Sequence, residues 1–205
     1  MLVKRTDRTE AAVSAAEGDI DRLLRDLDAP DGALRRKAAH DLGANQLAIR
    51  PLCGRLATET APSVRAAILT SLIRLKSPKV VAALVEFLRS EDAALRNAVI
   101  EALQDMPEDV LPALDRLLND DDSDLRIFAV NIMNELRHPE VRSRLERVIA
   151  RDTHVNVCMA AVDGIAEIGD ETLIGPLQML EKRFPNTPFV AFAAAAAIQR
   201  IRGAS

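Results

Sequence analysis

Five arginines stand within one short stretch, Arg137, Arg142, Arg144, Arg147 and Arg151, with only Glu140 and Glu146 as acids among them. A guanidinium presents a planar fork of N–H donors that matches a carboxylate or phosphate in two parallel bonds, so this stretch suits an acidic partner. The plainer account is a solvated helix face paired within itself, since Arg142 and Glu146 lie four residues apart. A second set of arginines recurs through the chain at Leu34-Arg35, Val64-Arg65, Leu95-Arg96 and Leu125-Arg126. An anion-binding ladder is one reading of it. The other is structural: Asp31, Asp92 and Asp122 precede their anchors by three residues, where each can cap a helix and pair with Arg35, Arg96 or Arg126 one turn on. A cap contributes about 1 kcal/mol and an exposed pair a few tenths, enough to account for the repetition without a ligand.

The remaining reactive types assemble into nothing catalytic. Asp120, Asp121, Asp122 and Asp124 form the densest acidic run, but an EF-hand loop counted from Asp120 needs Gly and Glu where Leu125 and Asn131 stand. A capped turn at the positive end of the next helix is expected instead. Cys53 and Cys158 belong to no CxxC or Cys/His cluster and fall about three repeats apart, so two reduced thiols packed as small apolar groups are expected. No nucleophile–base pair, metal cluster or phosphate-cradling glycine loop is present, and no catalytic residue, metal or cofactor is assigned. The formal charge of -4 argues against generic nucleic-acid binding, which depends on neutralising many phosphates. Charges at Lys4, Arg5, Asp7, Arg8 and Glu10 leave no signal-peptide run, and no apolar stretch reaches transmembrane length; a cytoplasmic protein without membrane contact is expected.

The elements that must position these residues are helices. The anchors Leu34, Val64, Leu95, Leu125, Val157 and Val190 are spaced by 30, 31, 30, 32 and 33 residues, the interval of stacked helical hairpins. Leu95, Ala98, Val99, Ala102 and Leu103 form the stripe of an amphipathic helix, as do Leu125, Phe128, Ala129, Ile132 and Met133. B helices follow, marked by Val80, Val81, Leu84 and Leu88 and their counterparts. Breakers at Gly43, Ser77-Pro78, Pro107, His138-Pro139 and Gly169-Asp170 separate A from B helices. The expected architecture is all-α, an alpha-alpha superhelix of five to six hairpins, with A helices starting near 31, 62, 92, 122, 154 and 188. Residues 1–17 are a lead-in or partial first helix, and 18–205 carry the repeats in a single domain 1–205. Asp19 is expected to cap a helix bearing Ile20, Leu23, Leu24 and Leu27.

The unit D-x-x-[LV]-R-x-A, followed by an apolar residue and a later Ala-Leu, resembles HEAT repeats, in particular the short bacterial variety first associated with phycobilin lyases. The resemblance covers about residues 20 to 202. It implies a HEAT-repeat solenoid and most often a protein-binding scaffold; some relatives handle bilins, some are DNA glycosylases, and one class is a di-iron hydroxylase. The hydroxylases use His-Glu pairs, whereas His40, His138 and His154 are followed by Asp41, Pro139 and Val155. The glycosylases stack a nucleotide on aromatic side chains, and this chain has no Trp, no Tyr and five Phe.

The last helix departs from the pattern. Cys158 and Ala191 take the place of the repeated arginine, and Phe184, Phe189 and Phe192 gather beside an alanine run. These aromatics either fold inward to seal the core or form an interface with a second copy or a partner. The leading functional reading is a non-enzymatic adaptor that binds a protein with an acidic surface along its successive B helices, with Arg142, Arg144 and Arg147 at the centre. A bilin-lyase-like protein binding a tetrapyrrole is the second reading, and nucleic-acid binding the third.

Overall fold

The computed structural model describes residues 18–204, and the 1–17 lead-in lies outside the described residues. Among the described residues the protein is all-α, with no strand. Residues 18–27 form α1. The A helices are α2 (Gly32–Leu42), α4 (Pro62–Arg74), α6 (Ala93–Gln104), α8 (Ser123–Glu135), α10 (Val155–Ile168) and α12 (Pro188–Ala204). The B helices are α3 (Ile49–Thr58), α5 (Pro78–Glu86), α7 (Pro107–Leu117), α9 (Pro139–Arg151) and α11 (Ile174–Arg183). Residue 18 is already helical, so Asp19 is not the cap of α1; it pairs instead with Arg22 one turn on, at 2.6 Å.

Local chemistry sets the helix starts. Proline occupies the first turn of α4, α5, α7 and α9, where its missing N–H costs no intrahelical bond. Asp31, Asp92 and Asp122 cap α2, α6 and α8 through bonds from Ala33 N, Ala94 N and Asp124 N. Ser77 and His138 do the same for α5 and α9. The stripes point inward: Leu95, Val99, Ala102 and Leu103 of α6 are buried, as are Leu125, Ala129, Ile132 and Met133 of α8.

The chain divides between Phe87 and Leu88 into two compact units. In the first, α2 packs on α4 and α3 on both α4 and α5. In the second, A helices pack in the order α6, α8, α10, α12, and α9 sits against α8, α10 and α11. Neighbouring A helices are also tied by side-chain amides. Gln104 Nε2 donates to Asn131 O at 3.3 Å, and Asn134 Nδ2 to Ala160 O at 3.0 Å. Both amides stand nine residues after their anchor, so the same helical position reaches the next A helix twice. Gly164 makes room for the second bond: a Cβ there would lie 2.1 Å from Asn134 Oδ1.

Candidate functional site

The repeated arginines act on the turns that lead from B helices into A helices. Each sits one residue after its anchor and reaches back to the carbonyl six residues earlier: Arg35 Nη1 to Ala29 O (2.9 Å), Arg65 Nε to Glu59 O (2.6 Å), Arg96 Nη1 to Ser90 O (2.6 Å) and Arg126 Nη1 to Asp120 O (2.9 Å). Arg35 and Arg126 also grip an acid in the following turn. Arg35 makes a two-bond contact with Glu59 (2.8 and 3.0 Å), and Arg126 one with Asp152 (2.8 and 3.2 Å). This corrects the expected pairing of Arg35 with Asp31 and of Arg126 with Asp122. The caps spend their oxygens on backbone N–H groups at the helix start, and each guanidinium is long enough to span to the next turn. Arg96 instead lies over the Phe128 ring, 5.8 Å from its centroid.

Glu59 is the most heavily bonded of these acids. Its buried carboxylate accepts from Arg35, from Arg55 Nε and Nη2 (3.0 and 2.9 Å), and from Thr60 N and Ala61 N (3.0 and 2.9 Å). The Arg35 guanidinium foremost, with the Ala61 N–H and Arg55, holds its pKa down to about 2 from 4.5. Sequence reasoning did not single out Glu59 or Asp152. Their signal is register: both stand five residues before an anchor, as Asp120 does.

Where Cys158 replaces the arginine, the carbonyl is served from elsewhere. Cys158 Sγ faces Asp152 O at 3.4 Å, and Arg183, from the end of α11, donates to both Asp152 O and Ile149 O. Burial pushes the Cys158 thiol up to about 11, and the Cys53 thiol likewise. Both are free thiols.

The arginine-rich stretch 137–151 does not form one surface. Arg137 precedes α9 and Arg151 ends it, so a helix of 13 residues separates them, about 20 Å. Arg142 faces the turn that leads into α11 and bonds Asp170 Oδ1 (2.8 Å) and the Thr172 hydroxyl rather than Glu146. Arg144 is buried: its Nε and Nη2 meet both oxygens of Asp115 on α7 (3.1 and 2.8 Å), and its Nη1 meets Glu140 Oε2 (2.6 Å). That removes Arg144 from any partner contact, because its donors are spent on tying α9 to α7. The same bond holds the Glu140 carboxyl below its ordinary range.

Arg147 and Arg151 remain, on the stripe that continues from Arg144. They line an open cleft of about 530 Å³ in the second unit, together with Asp115, Asn119, Asp120, Asp121, Arg126 and Asp152. Arg144, bonded to Asp115, lines it as well. Arg147 is half exposed and lies 3.6 Å from Asp115 Oδ1, too far for a hydrogen bond. Arg151 is exposed and makes no ion pair among the described residues. The cleft is thus lined by both signs of charge, Arg126, Arg144, Arg147 and Arg151 with Asp115, Asp120, Asp121 and Asp152.

The C-terminal aromatics divide. The Arg183 guanidinium lies over the Phe184 ring, 5.4 Å from its centroid. Phe189 and Phe192 are not folded into the core: they are 52% and 78% exposed, whereas Val190, Ala194, Ala197 and Ile201 of the same helix are buried. The helical period places both rings off the inward stripe. No described helix is long and apolar enough to cross a membrane.

Comparison with known proteins bears on this architecture. The family description "HEAT repeats" matches residues 20–104, 49–133 and 110–199. Among solved structures the chain is similar to the CpcE–CpcF complex of phycocyanin lyase from Nostoc sp. PCC7120, at 20% identity over 91% of this chain and 82% of that one, with a TM-score of 0.40. It is also similar to an archaeal HEAT-like repeats protein from Thermococcus onnurineus NA1 (15% identity, 94% and 92% coverage, TM-score 0.44). A designed armadillo repeat protein in complex with the peptide (KR)4 matches at 17% identity, 89% and 99% coverage and a TM-score of 0.41. No curated protein matches in sequence.

Proposed function

Because this chain belongs to the HEAT-repeat family, we propose that it is a non-enzymatic, cytoplasmic scaffold or adaptor that holds an acidic segment of another protein along its B helices. Repeat scaffolds of this kind commonly mediate protein binding, since stacked hairpins offer an extended surface. The observation that carries the reading is the pair Arg147 and Arg151, exposed over the α7–α9 cleft without a hydrogen-bonded carboxylate. The other arginines of the stretch contribute differently. Arg142 and Arg144 hold α9 to its neighbours, and Arg137 stands at the far end of the helix.

Reversing both charges, Arg147→Glu with Arg151→Glu, should abolish capture of an acidic interactor that the wild-type chain retains at low salt and releases at high salt, with helicity unchanged. Retention of every interactor by the double variant would sink the assignment of this site.

A further inference from the structure

The B helices of the second unit share a register on their outward side. Each of α7, α9 and α11 carries a fully buried leucine on its inward stripe, Leu114, Leu145 and Leu177. The residue two positions on lies about 200° around the helix and so turns away from the core. Those residues are Arg116, Arg147 and Met179, and all three are exposed, Met179 at 56%. The helices that bear them are neighbours: the Arg144–Asp115 contact ties α9 to α7, and α9 packs on α11. Of the acids in the α7–α9 cleft, Asp115 is bonded to Arg144, Asp120 to Arg89 and Asp152 to Arg126, which leaves Asp121. Against that one acid stand Arg116, Arg147 and Arg151, none of which holds a hydrogen-bonded carboxylate among the described residues. The row across the three helices is therefore cation, cation, apolar, with positive charge in surplus.

We propose that this row binds an extended acidic segment that crosses α7, α9 and α11, presenting an acid to Arg116, a second acid three residues away to Arg147, and an apolar residue three further to Met179. The inference rests on the adaptor reading above and names the partner's spacing. Packed helices stand about 8–10 Å apart, so the three side chains recur at that interval. A polyproline II strand repeats every three residues with a rise of about 3.1 Å, and so returns a side chain to the same face every ~9 Å. A pleated β-strand, with its period of two, returns one at about 7 and 13 Å and misses the interval. A helical partner fits less well. The cleft between α7 and α9, about 530 Å³, is matched to a single strand, whereas a helix is about 10–12 Å across. Arg151, one turn along α9 from Arg147, puts a second guanidinium within reach of the middle acid. The thioether of Met179 is flexible and polarizable, which suits an apolar contact of varied shape.

Fluorescence anisotropy with labelled, end-blocked peptides tests this on the full chain. Glu-Pro-Pro-Glu-Pro-Pro-Leu, or the same residues in reverse order, should bind saturably with a Kd below ~1 mM. The isomer Glu-Pro-Glu-Pro-Pro-Pro-Leu, equal in charge and composition, should bind at least about 5-fold more weakly. Arg116→Glu should weaken the first peptide by about 10-fold or more, and Met179→Ser by about 5-fold. Both positions are exposed, so helicity should not change. Absence of binding by every peptide up to ~1 mM, equal binding of the two isomers, or indifference to both variants would each overturn the proposal. In any of those cases the adaptor reading is decided separately, by whether Arg147→Glu with Arg151→Glu abolishes capture of an acidic interactor.

Discussion

Replacing Glu59 by Gln keeps the side chain's shape and removes its charge, leaving Arg35 and Arg55 facing a neutral amide in a buried site. The carboxyl titrates at about 2 in the folded chain against 4.5 ordinarily. Each pH unit between those values corresponds to ~1.4 kcal/mol, so ionised Glu59 contributes on the order of 3 kcal/mol. The size agrees with the cost of about 3–5 kcal/mol for breaking one side of a buried ion pair. Because the folded pKa is the depressed one, this stability is fully present above pH 4.5 and is lost as the pH falls from there towards 2. Urea unfolding followed by circular dichroism should therefore show Glu59→Gln weaker than wild type by on the order of 3 kcal/mol at neutral pH. The gap should close through the acid window, since protonated Glu59 has lost the same interaction. A difference under about 1 kcal/mol at neutral pH, or one that persists unchanged below pH 2, would refute the reasoning.

Four further substitutions follow from the packing and the ion pairs. Gly164→Ala would drive a Cβ to 2.1 Å from Asn134 Oδ1 and 2.9 Å from Leu145 Cδ1, and thermal melts should show a loss of about 1–3 kcal/mol. Gly54→Ala, in α3 with nothing within 4 Å of the new methyl, should stabilise by up to ~1 kcal/mol through helix propensity. Asp115→Ala leaves the buried Arg144 with Glu140 alone and should cost about 1.5–3 kcal/mol in denaturant titrations, whereas Asp170→Ala, on the exposed Arg142 contact, should cost about 1 kcal/mol or less.

The helices were legible because their information is local. Leu95, Val99, Ala102 and Leu103 mark one face within twelve residues of sequence, and Asp92 caps the helix from three residues before Leu95. The HEAT resemblance rests on the same short-range pattern. The ion pairs were not legible, because their partners lie about one repeat away: 24 residues for Arg35 and Glu59, 26 for Arg126 and Asp152, 29 for Arg144 and Asp115. Spacing within a helix suggested Arg142 with Glu146, but a long side chain at a hairpin edge reaches the neighbouring hairpin as readily as its own next turn. The arginine-rich stretch suffered the same way. Composition grouped five cations that the helical period sends in different directions, and only Arg147 and Arg151 stay together over a cleft.

The substitution of Arg183 for the missing arginine at position 158 makes the repeats unequal as modules. Excising one period from Asp92 through Asp121 would take Asp115 from the buried Arg144, yet it would leave the turn at Glu59 and the turn at Asp152 each with its own arginine clamp. The hairpin formed by α10 and α11 has no such freedom. It carries both the cysteine that needs help and the arginine that supplies it, from opposite ends of its sequence. A recombination break anywhere between Cys158 and Arg183 would separate them, leaving the Asp152 carbonyl with a weak thiol donor and no cation. Rearrangements that break the chain between Cys158 and Arg183 should therefore cost the turn at Asp152 its cation, and that constraint would be inherited by any array built from this hairpin.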